Sequence, residues 1–298
     1  MLYTMSRDQK LTFDKAMVRY HENVRKSYQM YLLNMLQIQR IAEYSEKDKE
    51  RRMSKLLPTE ADKAFTTKLS QNPLINSIRD NVAFQTLVRR YKLKDQLSDD
   101  ATRVIYVEFA KTDEYQTYLA DKNADDASHK KMLLALYKTA CGKEIFDELM
   151  DDHFAGWVDD RSLIVGAVKK TIKALPTQSD FHEVHRPTDE TFREFGEALF
   201  RDVYENDKVL LSEIEPVLKN WDADRVAIID MILLKMALSE LMNFPTIPTK
   251  VTLNEFVEIS KSYSTDKSKD FINGILDRLM KKLEQDGKIN KQGRGLNG

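Results

Sequence analysis

Lys261, Tyr263, Ser264, Thr265, Lys267 and Lys269 crowd into one short stretch near the C-terminus. Ammonium groups and hydroxyls suit phosphate oxygens, and an aromatic ring suits the face of a base. Together they match what single-stranded RNA asks of a protein. By composition alone, the same residues also describe an ordinary Lys-rich, solvated loop. Groups suited to acid–base or metal chemistry are scarcer. Asp151, Asp152 and His153 are contiguous, so they point in different directions. Asp159 with Asp160, and His182 with His185, complete the set, and the two histidines fall in a linker. A metal site in a helical bundle needs carboxylates at i and i+3 or i+4 beside an inward His. No Gly-rich phosphate loop and no Ser/His/Asp set is present. We therefore assign no catalytic residue, no metal and no cofactor.

The elements that must position these groups are helical. Only 9 Gly and 7 Pro occur in 298 residues, the hydrophobic fraction is 42%, and 32% of residues are charged. Apolar residues recur at spacings of three and four, so the expected fold class is all-α. The net charge of −1 excludes a polycation, and any nucleic-acid contact must come from a local patch. Cys141 is the single cysteine, which excludes an internal disulfide framework and fits a reduced, cytoplasmic setting. No apolar run approaches the roughly 18 residues of a membrane span.

A long amphipathic helix is expected from Phe13 to about Tyr44, with Met17, His21, Val24, Tyr28, Tyr31, Met35, Ile38 and Ala42 on its inner seam. Further helices are expected at 74–91, with Ile75, Ile78, Val82 and Phe84 inward, then at 101–119, 132–150 and 157–175. Asp159 or Asp160 is the expected N-cap of the last of these. After a linker reaching Pro187, Phe192, Phe195, Leu199, Val203 and Tyr204 mark one helix, and 209–218 a second. Residues 226–242 are apolar on nearly every side and read as a central, buried helix. The last two helices are expected at 252–262 and 268–283. The tail from 285 reads as disordered.

Within the last two helices most residues have structural explanations. Thr252 and Glu255 fit a capping box. Gly274 lies inside a helical stripe formed by Phe271, Ile275 and Leu279, where glycine costs about 1 kcal/mol against alanine. Close approach of a second backbone is the expected compensation, with Asn273 bridging to a neighbour.

The order of these short motifs resembles the C-terminal signature of the NusB transcription antitermination family. Asp230, Leu234, Lys235, Ala237, Glu240 and Leu241 match its hydrophobic helix. Pro248, Lys250, Val251, Leu253, Asn254, Glu255, Val257, Glu258 and Lys261 match the next element. Tyr263, Ser268, Phe271, Ile272, Asn273, Gly274, Ile275, Leu276 and Asp277 complete the pattern. The match covers about residues 188–284, and its departures are conservative, such as Lys235 for Arg. The resemblance implies an all-helical, non-enzymatic factor that regulates transcription of ribosomal RNA. Such proteins bind boxA-type RNA together with the ribosomal protein NusE and join the RNA polymerase elongation complex. It implies RNA contacts at Tyr3, Lys261, Tyr263, Lys267 and Phe271, and a NusE-facing role for Asp230. Some NusB-like proteins dimerise, so a homodimer is compatible with it.

The expected organisation is then a long helix of the NusB-like bundle at 1–45, a helical elaboration at 46–180, a NusB-like C-terminal domain at 181–284 and a tail at 285–298. Compact members are about half this length. Long members of the Bacteroidetes type are similar, and Trp157, Asp159 and Asp160 match their Trp-x-Asp-Asp pattern. The alternative to RNA binding is a helical protein-interaction scaffold that keeps the fold with little RNA affinity. One departure bears on this choice. The family opens with an arginine-rich helix, and Met1-Leu2-Tyr3 matches only its end. The resemblance implies an internal start, with an in-frame arginine-rich segment encoded upstream. Reading the coding DNA before Met1 checks this, and a stop codon with no such segment contradicts it.

Overall fold

The computed structural model describes residues 1–176, 180–218, 222–265 and 267–292. Among these residues there are fifteen α-helices and no strand. The chain packs as two compact units, residues 22–186 and residues 1–21 with 187–298. The division falls at His21 within the long helix, rather than near residue 45.

In the 22–186 unit the organising element is α2 (Phe13–Met53). Its middle is not two-faced as its seam suggests, because Tyr31 to Gln39 are buried on every side. The helices around it are α3 (Glu60–Ala64), α4 (Pro73–Arg79), α5 (Val82–Arg90), α6 (Asp99–Ala110), α7 (Asp113–Ala120), α8 (Asp126–Cys141), α9 (Glu144–His153) and α10 (Trp157–Ala174). Burying polar side chains costs free energy unless each finds a partner. Asn34 meets the Tyr137 hydroxyl at 2.7 Å and the Met30 carbonyl at 2.8 Å. Asp48 is 1% exposed and accepts from Arg51 and Arg52.

Local capping breaks two expected helices into pairs. The Asn81 side chain accepts from the Phe84 amide, which starts α5 and leaves Val82 76% exposed instead of inward. Thr112 caps α7 through the Tyr115 amide, so 101–119 is two helices. The β-branched run Val104 to Val107 is helical as expected. The N-cap of α10 is Gly156, with Asp159 and Asp160 inside its first turn. The Trp157 indole donates to Asp147 at 2.9 Å. His182 is 4% exposed, with Nδ1 3.1 Å from the Tyr28 hydroxyl, and burial holds its pKa below the usual histidine value. Asp151, Asp152 and His153 end α9 at the surface, and no group of three metal-ligating side chains forms among the described residues. Of the expected linker before Pro187, residues 177–179 lie outside the described residues.

The other unit contains α1 (Leu2–Arg7), the first turns of α2, and α11 (Ala198–Glu205), α12 (Asp207–Leu218), α13 (Ile228–Asn243), α14 (Thr249–Tyr263) and α15 (Ser268–Gln285). α13 is central and packs against α1, α11, α12, α14 and α15. Leu234, Ala237 and Leu238 are fully buried on it, and burying one such leucine contributes about 1.5–3 kcal/mol. Lys235 on its flank reaches Asp207 at 2.5 Å. α14 starts at Thr249, one turn before the expected capping box, so Thr252 and Glu255 are interior to it. The expectation of disorder from residue 285 does not hold for 285–292. α15 runs to Gln285, Lys288 pairs with Glu213 at 2.5 Å, and Lys291 donates to the Glu240 and Phe244 carbonyls that end α13. Residues 293–298 lie outside the described residues.

The helix expected around Phe192 begins as a π-helix, Glu190–Glu197, before α11. The Tyr20 hydroxyl donates to the Phe192 carbonyl at 2.9 Å, and a Cβ on Gly196 would overlap that hydroxyl. Gly196 therefore makes room for the tyrosine. Gly196→Ala should cost about 1–3 kcal/mol in urea unfolding, and less in a Tyr20→Phe background. An equal cost in both backgrounds would show that the hydroxyl is not the obstacle.

Candidate nucleic-acid interface

The site is built on the turn between α14 and α15. Ser264 follows the last residue of α14, and Ser268 opens α15. Their hydroxyls donate to the two oxygens of Asp230, at 2.5 Å and 2.8 Å. Thr265 adds a 2.9 Å contact to the Ser268 hydroxyl. Asp230 lies in the first turn of α13, where the partial positive charge of the helix N-terminus favours a carboxylate. One carboxylate therefore fixes the path of the turn and the start of α15.

Beside this clamp lies an open cleft of about 500 Å³. Arg225, Lys267 and Arg278 stand on its rim, and Phe271, Gly274 and Ile275 line it from α15. Arg225 comes from a short 3-10 turn, Ala223–Arg225, capped by Asp222. Arg278 spends one guanidinium N–H on the Val217 carbonyl at 3.2 Å, leaving the others of its five donors. Phe271 is half-buried, packing on the core while its ring borders the cleft. Cations around an aromatic wall can hold a phosphate and a flat apolar group together.

The turn thus brings Lys267, Phe271 and Asp230 to one place. Asp230 is 5% exposed and fully engaged by the two serines. It thereby positions the turn. Tyr263 is 47% exposed at the end of α14 and does not line the cleft. Lys261 pairs with Glu258 one turn earlier on the same helix. Tyr3 is 43% exposed on α1, with the Arg7 guanidinium 5.6 Å from its ring centre. Two cleft cations escaped the sequence reading: Arg225 and Arg278. Arg278 was legible, because it falls seven residues after Phe271 on the same helical face. Arg225 reaches the rim through tertiary packing and carried no local signal. Gly274 corrects an expectation. A Cβ there meets nothing within 4 Å among the described residues, so none of their backbone packs against it, and Asn273 is exposed.

The molecule is thus an all-α bundle protein with a cation-rimmed, aromatic-walled surface cleft. Residues 167–281 match the model of the NusB family. The chain is 42% identical over 117 residues to the transcription antitermination protein NusB of Salinibacter ruber (strain DSM 13855 / M31), covering 39% of this chain and 73% of that protein. It is 38% identical over 104 residues to the NusB protein of Chloroherpeton thalassium (strain ATCC 35110 / GB-78), covering 35% and 49%. Against the NusB protein of Natranaerobius thermophilus (strain ATCC BAA-1301 / DSM 18059 / JW/NM-WN-LF) the figures are 44% over 72 residues, 24% and 52%. The chain thus spans about half the length of the latter two relatives. No solved structure matches it significantly. The chain belongs to the NusB family.

If Asp230 holds the turn, Asp230→Ala leaves two hydroxyls without their acceptor. The expected loss is about 1–3 kcal/mol, with faster amide hydrogen exchange across 264–268. Unchanged exchange there would show that the turn does not depend on Asp230.

Proposed function

We propose that this protein is a transcription antitermination factor that binds boxA-type RNA of ribosomal RNA transcripts together with NusE. The observation that carries this proposal is the cleft, whose lining brings Arg225, Lys267 and Arg278 together with Phe271. Single-stranded RNA is held by cations tracking its phosphates and by aromatic faces on which unstacked bases rest. The matched relatives bear the name transcription antitermination protein, which supports the same assignment. A net charge of −1 means that the affinity arises locally, at this rim.

In this proposal Lys267 and Phe271 make direct RNA contacts, and Arg225 and Arg278 join them. Tyr263, Lys261 and Tyr3 extend the surface along the strand from outside the cleft. Asp230 holds the turn that carries Lys267, on the side of the molecule where NusE docks. The assembly acts on the RNA polymerase elongation complex in the cytoplasm, without a catalytic step. No described helix is long and apolar enough to cross a membrane.

The test is binding of a boxA-type RNA oligonucleotide by the full chain, with and without NusE, across a salt series. Affinity should fall as salt rises. Replacing Arg225, Lys267 or Arg278 by alanine should lower the slope of log K against log salt by about 0.7 for each phosphate that is no longer neutralised. Slopes identical to wild type in all three variants would place the RNA elsewhere. Binding of NusE with no measurable RNA affinity would favour a protein-interaction scaffold.

A further inference from the structure

No described residue gives Gly274 a packing reason to be glycine. It sits in the interior of α15, where glycine is unfavourable, its φ is not in the left-handed region, and no described residue occupies the space a Cβ would fill. That space belongs to the cleft. Its neighbours on the same face stand in a definite order. Phe271 lies one turn before, and Arg278 lies one turn after. Along the helix axis these positions are about 4.5 Å and about 6 Å away. The stripe therefore reads aromatic ring, bare backbone, guanidinium. Any side chain at 274 would stand between the ring and the cation and fill the gap.

We infer that Gly274 is a specificity-determining residue, an opening that lets one unstacked nucleobase lie against the bare backbone of α15 between the Phe271 ring and the Arg278 guanidinium. This rests on the RNA-binding proposal above and adds which residue admits the base. The ring supplies a stacking face and the guanidinium meets the adjoining phosphate. Ile275, buried beneath, closes the floor with an apolar surface. Helix stability is given up locally to keep the gap, so stability and binding should respond oppositely to the same substitution.

Gly274→Ala in the full chain separates these effects. Thermal unfolding should shift upward, because alanine favours the helix and meets no clash. Affinity for a boxA-type RNA oligonucleotide in the presence of NusE should fall by about tenfold or more, as one methyl group does in a fitted pocket. Asn273→Ala, at the exposed neighbouring position, should leave affinity unchanged. Wild-type binding with an equally strong Gly274→Ala variant overturns the role of Gly274 while leaving the RNA proposal intact. Weaker binding accompanied by a lower unfolding temperature overturns it too, since the glycine would then be structural. No binding by the wild-type chain overturns both.

Discussion

The carboxylate of Asp230, shared between Ser264 and Ser268, is the contact on which the candidate site depends. It ties the first turn of the central helix to the turn between the last two. Without it, Lys267 would have no fixed place relative to Arg225, because the two come from segments far apart in sequence. A buried carboxylate with both oxygens occupied by hydroxyls is costly to disturb, since removing either partner exposes a desolvation penalty. The clamp therefore converts a polar, Lys-bearing turn into one edge of a defined cleft.

The electrostatics of the molecule make that definition matter. Positive and negative charges nearly cancel over the chain, so long-range attraction for a polyanion is weak. Affinity must come from a few cations held close together. Many other lysines and arginines are committed to ion pairs along their own helices, as Lys261 is to Glu258 and Lys281 to Asp277. Arg225 and Lys267 form no ion pair with a described residue, and both stand at the same rim.

Much of the fold was legible because helical periodicity is a local property. The apolar spacing of α13 marked it as central, and it packs against five neighbours. The breaks at Asn81 and Thr112 were harder to see, since a capping side chain looks the same as any polar residue until its amide partner is known. The centre of α2 was misread for a related reason. Its polar residues Asn34 and Gln37 are buried as well, Asn34 beside Tyr137 and Gln37 beside Thr102. At the site, the residue types of the α14–α15 turn pointed to the right region, but the depth of Asp230 and the approach of Arg225 are set by tertiary packing. Gly274 was noticed and misassigned, because sequence shows that a helix glycine needs a reason but not whether that reason is a neighbour or an empty space.

The 22–186 unit lies largely outside the family match, which begins at residue 167. It has a hydrophobic core of its own, and the RNA proposal draws on none of its residues. The central claim is that RNA occupies the cleft beside α15. Backbone amide chemical-shift mapping of the isotope-labelled full chain with NusE, titrated with a boxA-type RNA oligonucleotide, tests it most directly. The largest shifts should fall on residues 264–278 that line the cleft and on the turn carrying Arg225. Shifts confined to the 22–186 unit, with the α15 amides unmoved, would contradict it.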